Sequence, residues 1–186
     1  MSRIEITDPK KPHLGGNIAG GDKLTYMPLL WQLLLYKYKI KSVLDVGCGE
    51  GHAMEWFNNH KCTTLGIEGL KQNVDTCTNK NLNVIQLDLT EEPYQSKQPF
   101  DLIWCCETLE HIEKKYLDNV IQTLSNGKII AMTCAVPNQA GYHHVNCQPL
   151  EYWIDALKPN YQLEPKPMPS LQYIYWVISG MVFIKI

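Results

Sequence analysis

The sequence predicts an α/β domain: a mostly parallel sheet with helices on both faces. Three observations predict it. From Ser42 onward, short apolar runs alternate with segments of helical spacing. The runs are apolar at successive positions, as strands covered on two faces must be. A chain of 186 residues, 45% of them hydrophobic, is long enough for one well-buried domain and short for two.

The elements follow in order. The first two dozen residues read as loop. The stretch Asp8-Pro9-Lys10-Lys11-Pro12 opposes a helix, and Gly15-Gly16 and Gly20-Gly21 leave the backbone loose. Segment 1–24 is expected to lie over a site. Thr25 is placed to cap a helix over Tyr26–Tyr38, with Pro28 in its first turn. Strands are expected at Ser42–Gly47, Thr63–Glu68, Asn83–Leu89, Phe100–Cys106, Gly127–Val136 and Met181–Ile186. Helices are expected at Glu50–Asn59, Leu70–Asn79, Lys114–Leu124 and Glu151–Leu157. No repeat, low-complexity tract or linker divides the chain, so residues 1–186 are read as one domain.

Composition narrows the partners. A formal net charge of −2, with lysines scattered along the chain, gives no general attraction for nucleic acid or an anionic membrane. A compact small-molecule acceptor is expected instead. The seven cysteines form no C-x-x-C pair and several sit inside apolar runs, so they read as buried reduced thiols. Met1-Ser2-Arg3-Ile4-Glu5 has no apolar signal core, and no run reaches membrane-spanning length. A cytoplasmic location without membrane insertion is expected.

The sharpest motif is Val43-Leu44-Asp45-Val46-Gly47-Cys48-Gly49-Glu50-Gly51. Three glycines at i, i+2 and i+4 follow a strand and open a helix. Such spacing lets a ligand approach the strand end, where a Cβ would collide. The dinucleotide pattern is not met, because position 52 is His, and no Lys-Ser or Lys-Thr follows to make a phosphate loop.

D-x-G-x-G-x-G resembles the first motif of the class I S-adenosylmethionine-dependent methyltransferases, and the likeness continues in order through residues 40–137. The resemblance implies their Rossmann-like fold with a seven-stranded sheet. It also implies cofactor contacts from Asp45, Gly47, Cys48, Gly49 and Gly51 of the loop. Glu68, with Gly69 after it, would hold the ribose hydroxyls. Asp88 would meet the adenine amine with Leu89 beside the ring, and Cys105 would lie in the strand beneath the methionine portion.

A second cluster, Glu107-Thr108-Leu109-Glu110-His111, follows the fourth strand. In a helical turn Glu107 and Glu110 would share one face, with His111 on the same rim. Two carboxylates and an imidazole are part of a site for a hard divalent cation, Mg²⁺ or Mn²⁺. The segment resembles the Glu-x-x-Glu-His motif of metal-dependent small-RNA 2′-O-methyltransferases and of ubiquinone-pathway O-methyltransferases. That likeness implies a distant His, at His144 or less well at His143. The metal ligands expected are therefore Glu107, Glu110, His111 and His144. A histidine among His111, His144 and His143 would accept the proton of the methylated hydroxyl.

Such a cation can chelate adjacent hydroxyls, as on a terminal ribose, a catechol or a sugar ring. The chain also resembles small glycan methyltransferases that open with a segment like Gly20-Gly21-Asp22, and that likeness implies a sugar or glycan, for example a deoxysugar such as rhamnose, as the expected acceptor. Tyr26, Trp31, Tyr142, Tyr152 and Trp153 are candidate stacking faces, Trp31 being the one most expected in the core. An RNA or nucleotide ribose methyltransferase and a non-catalytic methyltransferase-like subunit are the alternatives.

Overall fold

The computed structural model describes residues 4–5, 9–167 and 173–186. The main sheet grows from the apolar runs. Its strands are β3 (Ser42–Val46), β4 (Thr63–Glu68), β5 (Val84–Gln86), β6 (Phe100–Cys106), β7 (Gly127–Thr133), β8 (Tyr161–Glu164) and β9 (Met181–Lys185). They lie in the order β5-β4-β3-β6-β7-β9-β8. All pairs from β5 to β7 are parallel, and β9 runs antiparallel to both β7 and β8. Strand order reverses between β3 and β6, which opens a crevice at their carboxyl ends.

Helices α1 (Pro28–Tyr38), α2 (His52–Asn59), α3 (Lys71–Asn79), α4 (Leu117–Leu124), α5 (Leu150–Leu157) and α6 (Ile174–Ser179) complete the domain. Side chains alternate across each strand, so the sheet has two cores. Leu44, Ile103, Cys105 and Ile130 pack with Val120 and Leu124 of α4 and Trp153 of α5. Val43, Leu102, Trp104 and Ala131 pack on the other side, with Trp31 and Leu34 of α1, Phe57 of α2 and Trp176 of α6. Among the described residues no helix is long and apolar enough to cross a membrane.

The structure corrects several sequence expectations. Thr25 does not cap α1. Asp22 caps a preceding 3-10 turn, Lys23–Thr25, by accepting from Leu24 N at 2.9 Å, and the Thr25 hydroxyl donates to Asp22 O. α1 starts at Pro28, whose missing N–H and fixed φ suit a first helical position. The third strand stops at Gln86 because it is the sheet edge, paired only with β4, so Asp88 and Leu89 lie in the loop beyond. β7 stops at Thr133, three residues before the expected end. Two elements were not anticipated: β8, a short edge strand, and α6. Within the segment read as loop, β1 (Ile4–Glu5) pairs with β2 (Asn17–Ile18), and Pro12–Leu14 forms a 3-10 turn. Residues 1–3 and 6–8 of that segment lie outside the described residues.

Candidate active site

A cavity of about 420 Å³ opens at the carboxyl ends of β3, β4 and β6. Residues 13–18, with Gly21, Asp22 and Thr25, form one wall of it. Polar bonds tie this wall to the domain: Gly20 N donates to Glu50 Oε1 at 2.8 Å, and His52 Nε2 lies 3.1 Å from Gly20 O. Asn73 Nδ2 donates to Asn17 Oδ1 at 3.3 Å. On the other side Gly15 and Gly16 lie against the Tyr142 ring, where a Cβ would collide.

The three loop glycines serve different ends. All have positive φ: Gly47 +73°, Gly49 +54° and Gly51 +81°. A Cβ at Gly47 would strike the Thr108 side chain, and one at Gly51 would strike Leu82 and Cys77. Only Gly49 faces open space. The close-approach argument therefore holds for Gly49, while Gly51 answers to packing and does not line the cavity. Cys48 lines it, with Met54 and Cys77 as neighbours in a small apolar cluster.

Three carboxylates surround this end. Glu68 Oε2 accepts from Gly49 N and Oε1 from Leu70 N, each at 2.8 Å. Bonds from the Asn73 side chain and Gly69 N also reach it, and its two fixed oxygens are a match for two vicinal hydroxyls. Burial pushes its carboxyl up. Asp45 is 4% exposed, and burial followed by the charge of Glu68 pushes it up to about 8. Asp88 behaves in the opposite way. Burial opposes its ionisation, but bonds from Thr90, His13 and Lys11 prevail and hold it at about 2. His13 and Lys11 were missed because nothing local marks a residue that will meet another about 75 positions away. Gly69 and Leu89 line the cavity as expected. Cys105 does not: it is fully buried in the α4–α5 core, and strand alternation turns Trp104 and Cys106 to the cavity instead.

At the far end, β6 stops abruptly. Glu107 takes φ +50°, and its N–H donates to Thr133 O at 3.2 Å. A 3-10 turn, Leu109–His111, follows. Val145 N and Asn146 N both donate to Glu110 O at 3.0 Å, which fastens the loop after β7 onto that turn. Glu110, His111 and His144 thereby bring ligand atoms within 4.8 Å of one another. The Glu110 side chain is 0% exposed, and neither carboxylate oxygen has a hydrogen-bond partner; His111 Nδ1 also has none. Burial, then the charge of Glu107, pushes Glu110 well up. Burial, then His144, lowers His111 to about 4, so its ring is neutral at neutral pH. His144 Nδ1 lies 3.0 Å from Gln139 O, an acceptor only, so this nitrogen carries a proton and Nε2 is the one left for a ligand. A carboxylate and two imidazoles are a donor set for a divalent cation.

Not every candidate joins this cluster. Glu107 lies beside Glu110 and lines the cavity, but it falls outside the triangle of ligand atoms. The expected helical turn would have aligned the two carboxylates; the left-handed residue at 107 breaks it. His143, at φ +47°, turns from the cavity toward His13 and Glu113. Of the aromatic candidates, Trp31 and Tyr142 line the cavity. Trp153 and its neighbour Tyr152 belong to the core, and Tyr26 packs edge-on against Trp31 from outside.

Residues 22–166 match the family described as a methyltransferase domain. The chain belongs to that family. The methyltransferase is 30% identical over 98 residues to the ubiquinone biosynthesis O-methyltransferase of Rickettsia typhi, covering 49% of this chain and 40% of that protein. A Coxiella burnetii protein of the same name is 35% identical over 79 residues, 40% of this chain and 34% of the relative. The chain thus spans two fifths or less of these relatives. The methyltransferase domain of bacterial CtHen1-CN superposes with a TM-score of 0.63 at 13% identity, over 86% of this chain and 98% of that one. Magnesium protoporphyrin IX methyltransferase from Synechocystis PCC 6803, with bound S-adenosylhomocysteine, gives 0.64 at 12%, over 85% and 81%. Those two likenesses are of the Rossmann-like fold alone.

Proposed function

We propose that this methyltransferase binds S-adenosylmethionine beside the glycine loop and methylates a hydroxyl of a small polar acceptor at a divalent cation held by Glu110, His111 and His144. The acceptor class best suited is a sugar or glycan with adjacent hydroxyls. One observation carries the metal: a fully buried Glu110 carboxylate with both oxygens unbonded, facing two imidazoles at the cavity. Burying such a group without a partner is costly, and a cation supplies the partner.

The cofactor residues fit as well. Glu68 presents two fixed carboxylate oxygens, Gly49 leaves open space, and Asp45 is a desolvated carboxyl that gains from a nearby cationic group. When bound, S-adenosylmethionine supplies a methyl group on a sulfonium and the cation acidifies the acceptor hydroxyl. The chain positions the acceptor between Glu107 and the triad, excludes water with the wall at residues 13–25, and offers imidazoles as ligands or proton acceptors. Seven free thiols support a reducing, cytoplasmic setting. A phenolic acceptor is a second reading, favoured by relatives named for ubiquinone biosynthesis.

The test is methyl-labelled S-adenosylmethionine with panels of sugars and catechols, with and without chelator. Transfer is expected to vanish in chelator and return with Mg²⁺ or Mn²⁺, while calorimetric cofactor binding persists. Undiminished transfer in chelator would reduce the triad to a histidine base.

A further inference from the structure

The charge of the cavity narrows the acceptor further. Seven carboxylates line it, and among the described residues no lysine or arginine does. The chain's one arginine, Arg3, lies outside the described residues. Asp45, Glu68 and Asp88 flank the cofactor end; Asp22, Glu107 and Glu110 flank the acceptor end. Lys11 reaches Asp88 without lining the cavity, and it is shared with Glu91.

The glycine loop does not offset this. Backbone amides of a glycine loop often form an anion nest, yet those of Gly47 and Cys48 donate to Ile67 O, that of Gly49 to Glu68, and that of Gly51 to Cys48 O. At the acceptor end, the Tyr175 hydroxyl donates to Asp22 Oδ2 at 3.1 Å, and the charge of Asp22 reaches Glu107. One Glu107 oxygen is buried and unbonded, and Glu110 is fully buried with both oxygens unbonded. With one divalent cation and one sulfonium in place, three positive charges face seven carboxyl groups, of which Asp45 holds a proton in the free protein.

We propose that this cavity selects against acceptors that carry phosphate or carboxylate, and takes neutral or amine-bearing diols in preference to their anionic counterparts. Nucleotide sugars and nucleic-acid ends are then poor substrates. The diol rests on the function proposed above; the sign of the charge does not. In a poorly hydrated site like charges repel strongly, and the penalty falls on binding and on encounter alike.

Two matched series test it. Catechol, dopamine and 3,4-dihydroxybenzoate share a diol and differ in charge; adenosine and adenosine 5′-monophosphate differ by one phosphate at the cofactor end. The diols are titrated by saturation-transfer NMR onto protein loaded with S-adenosylhomocysteine, the nucleosides by calorimetry onto the free protein. The anionic member of each series is expected to bind at least about tenfold more weakly than the neutral one, with the gap narrowing in high salt. Asp22→Asn, which keeps a side-chain cap, is expected to shrink the diol gap about threefold. An anionic member that binds as tightly as its neutral partner overturns the proposal. Labelled methyl transfer is measured on the same diols. If the charge ranking holds and no diol is methylated, charge selection stands and the acceptor reading falls alone.

Discussion

Single residues divide here into those spent on the fold and those kept for a ligand. Glu68 is proposed to do both: backbone amides fix its carboxylate, and its two oxygens would then hold the ribose diol. Glu68→Ala is expected to weaken S-adenosylhomocysteine binding by about 1–3 kcal/mol in calorimetry, the usual cost of a lost charge-assisted bond. Asp45 gives a pH signature. Its carboxyl rises from 3.8 to about 8 on folding, first through burial and then through Glu68. A pKa raised by folding means that the native state binds the extra proton, so ligand-free stability is highest below the unfolded value and falls as pH rises toward 8. Asp45→Asn should flatten that slope and stabilise the ligand-free protein at pH 8 by about 1–3 kcal/mol in urea melts, while weakening the cofactor. An unchanged slope would show that another group carries the proton.

At the scale of elements, the strand runs and glycine loop were legible because their signals are local: apolar periodicity from Val43 to Val46, positive-φ glycines, an acidic residue at the end of β4. What escaped was long-range or irregular. β8 reads Tyr-Gln-Leu-Glu, an edge strand too short and polar to stand out. Glu107 gave no sign of its left-handed backbone; it does lie beside Glu110 as expected, but outside the cluster that Glu110 forms with His111 and His144. The loop itself separates two kinds of glycine by experiment. Gly51→Ala is expected to destabilise by about 1–3 kcal/mol, because φ +81° and contact with Leu82 and Cys77 leave no room for a Cβ. Gly49→Ala has open space and a φ close to the ordinary left-handed minimum, so it should cost about 1 kcal/mol or less and act on cofactor affinity instead. Thermal melts and calorimetry on the pair read both quantities; equal stability losses would contradict the division.

For the whole molecule, the open question of the cation has a readout that needs no substrate. The triad joins the turn after β6 to the loop after β7, so a bound cation clamps two separate parts of the chain. A ligand bound by the native state alone stabilises it, by about 2.7 kcal/mol at a hundredfold excess over Kd. In a chain of this length that amounts to a rise in Tm of about 5–10 °C. Mn²⁺ should therefore raise the Tm of the protein, and the rise should grow with pH, because the raised Glu110 carboxyl must lose its proton to bind metal. Glu110→Gln removes the charge at nearly constant shape. In chelator it should melt at or above the temperature of the parent, since an unpaired buried carboxylate is gone. With Mn²⁺ it should show little of the rise. If parent and Glu110→Gln gain equally from the cation, the metal sits elsewhere, and Glu110 is a buried acid that stays protonated beside Glu107.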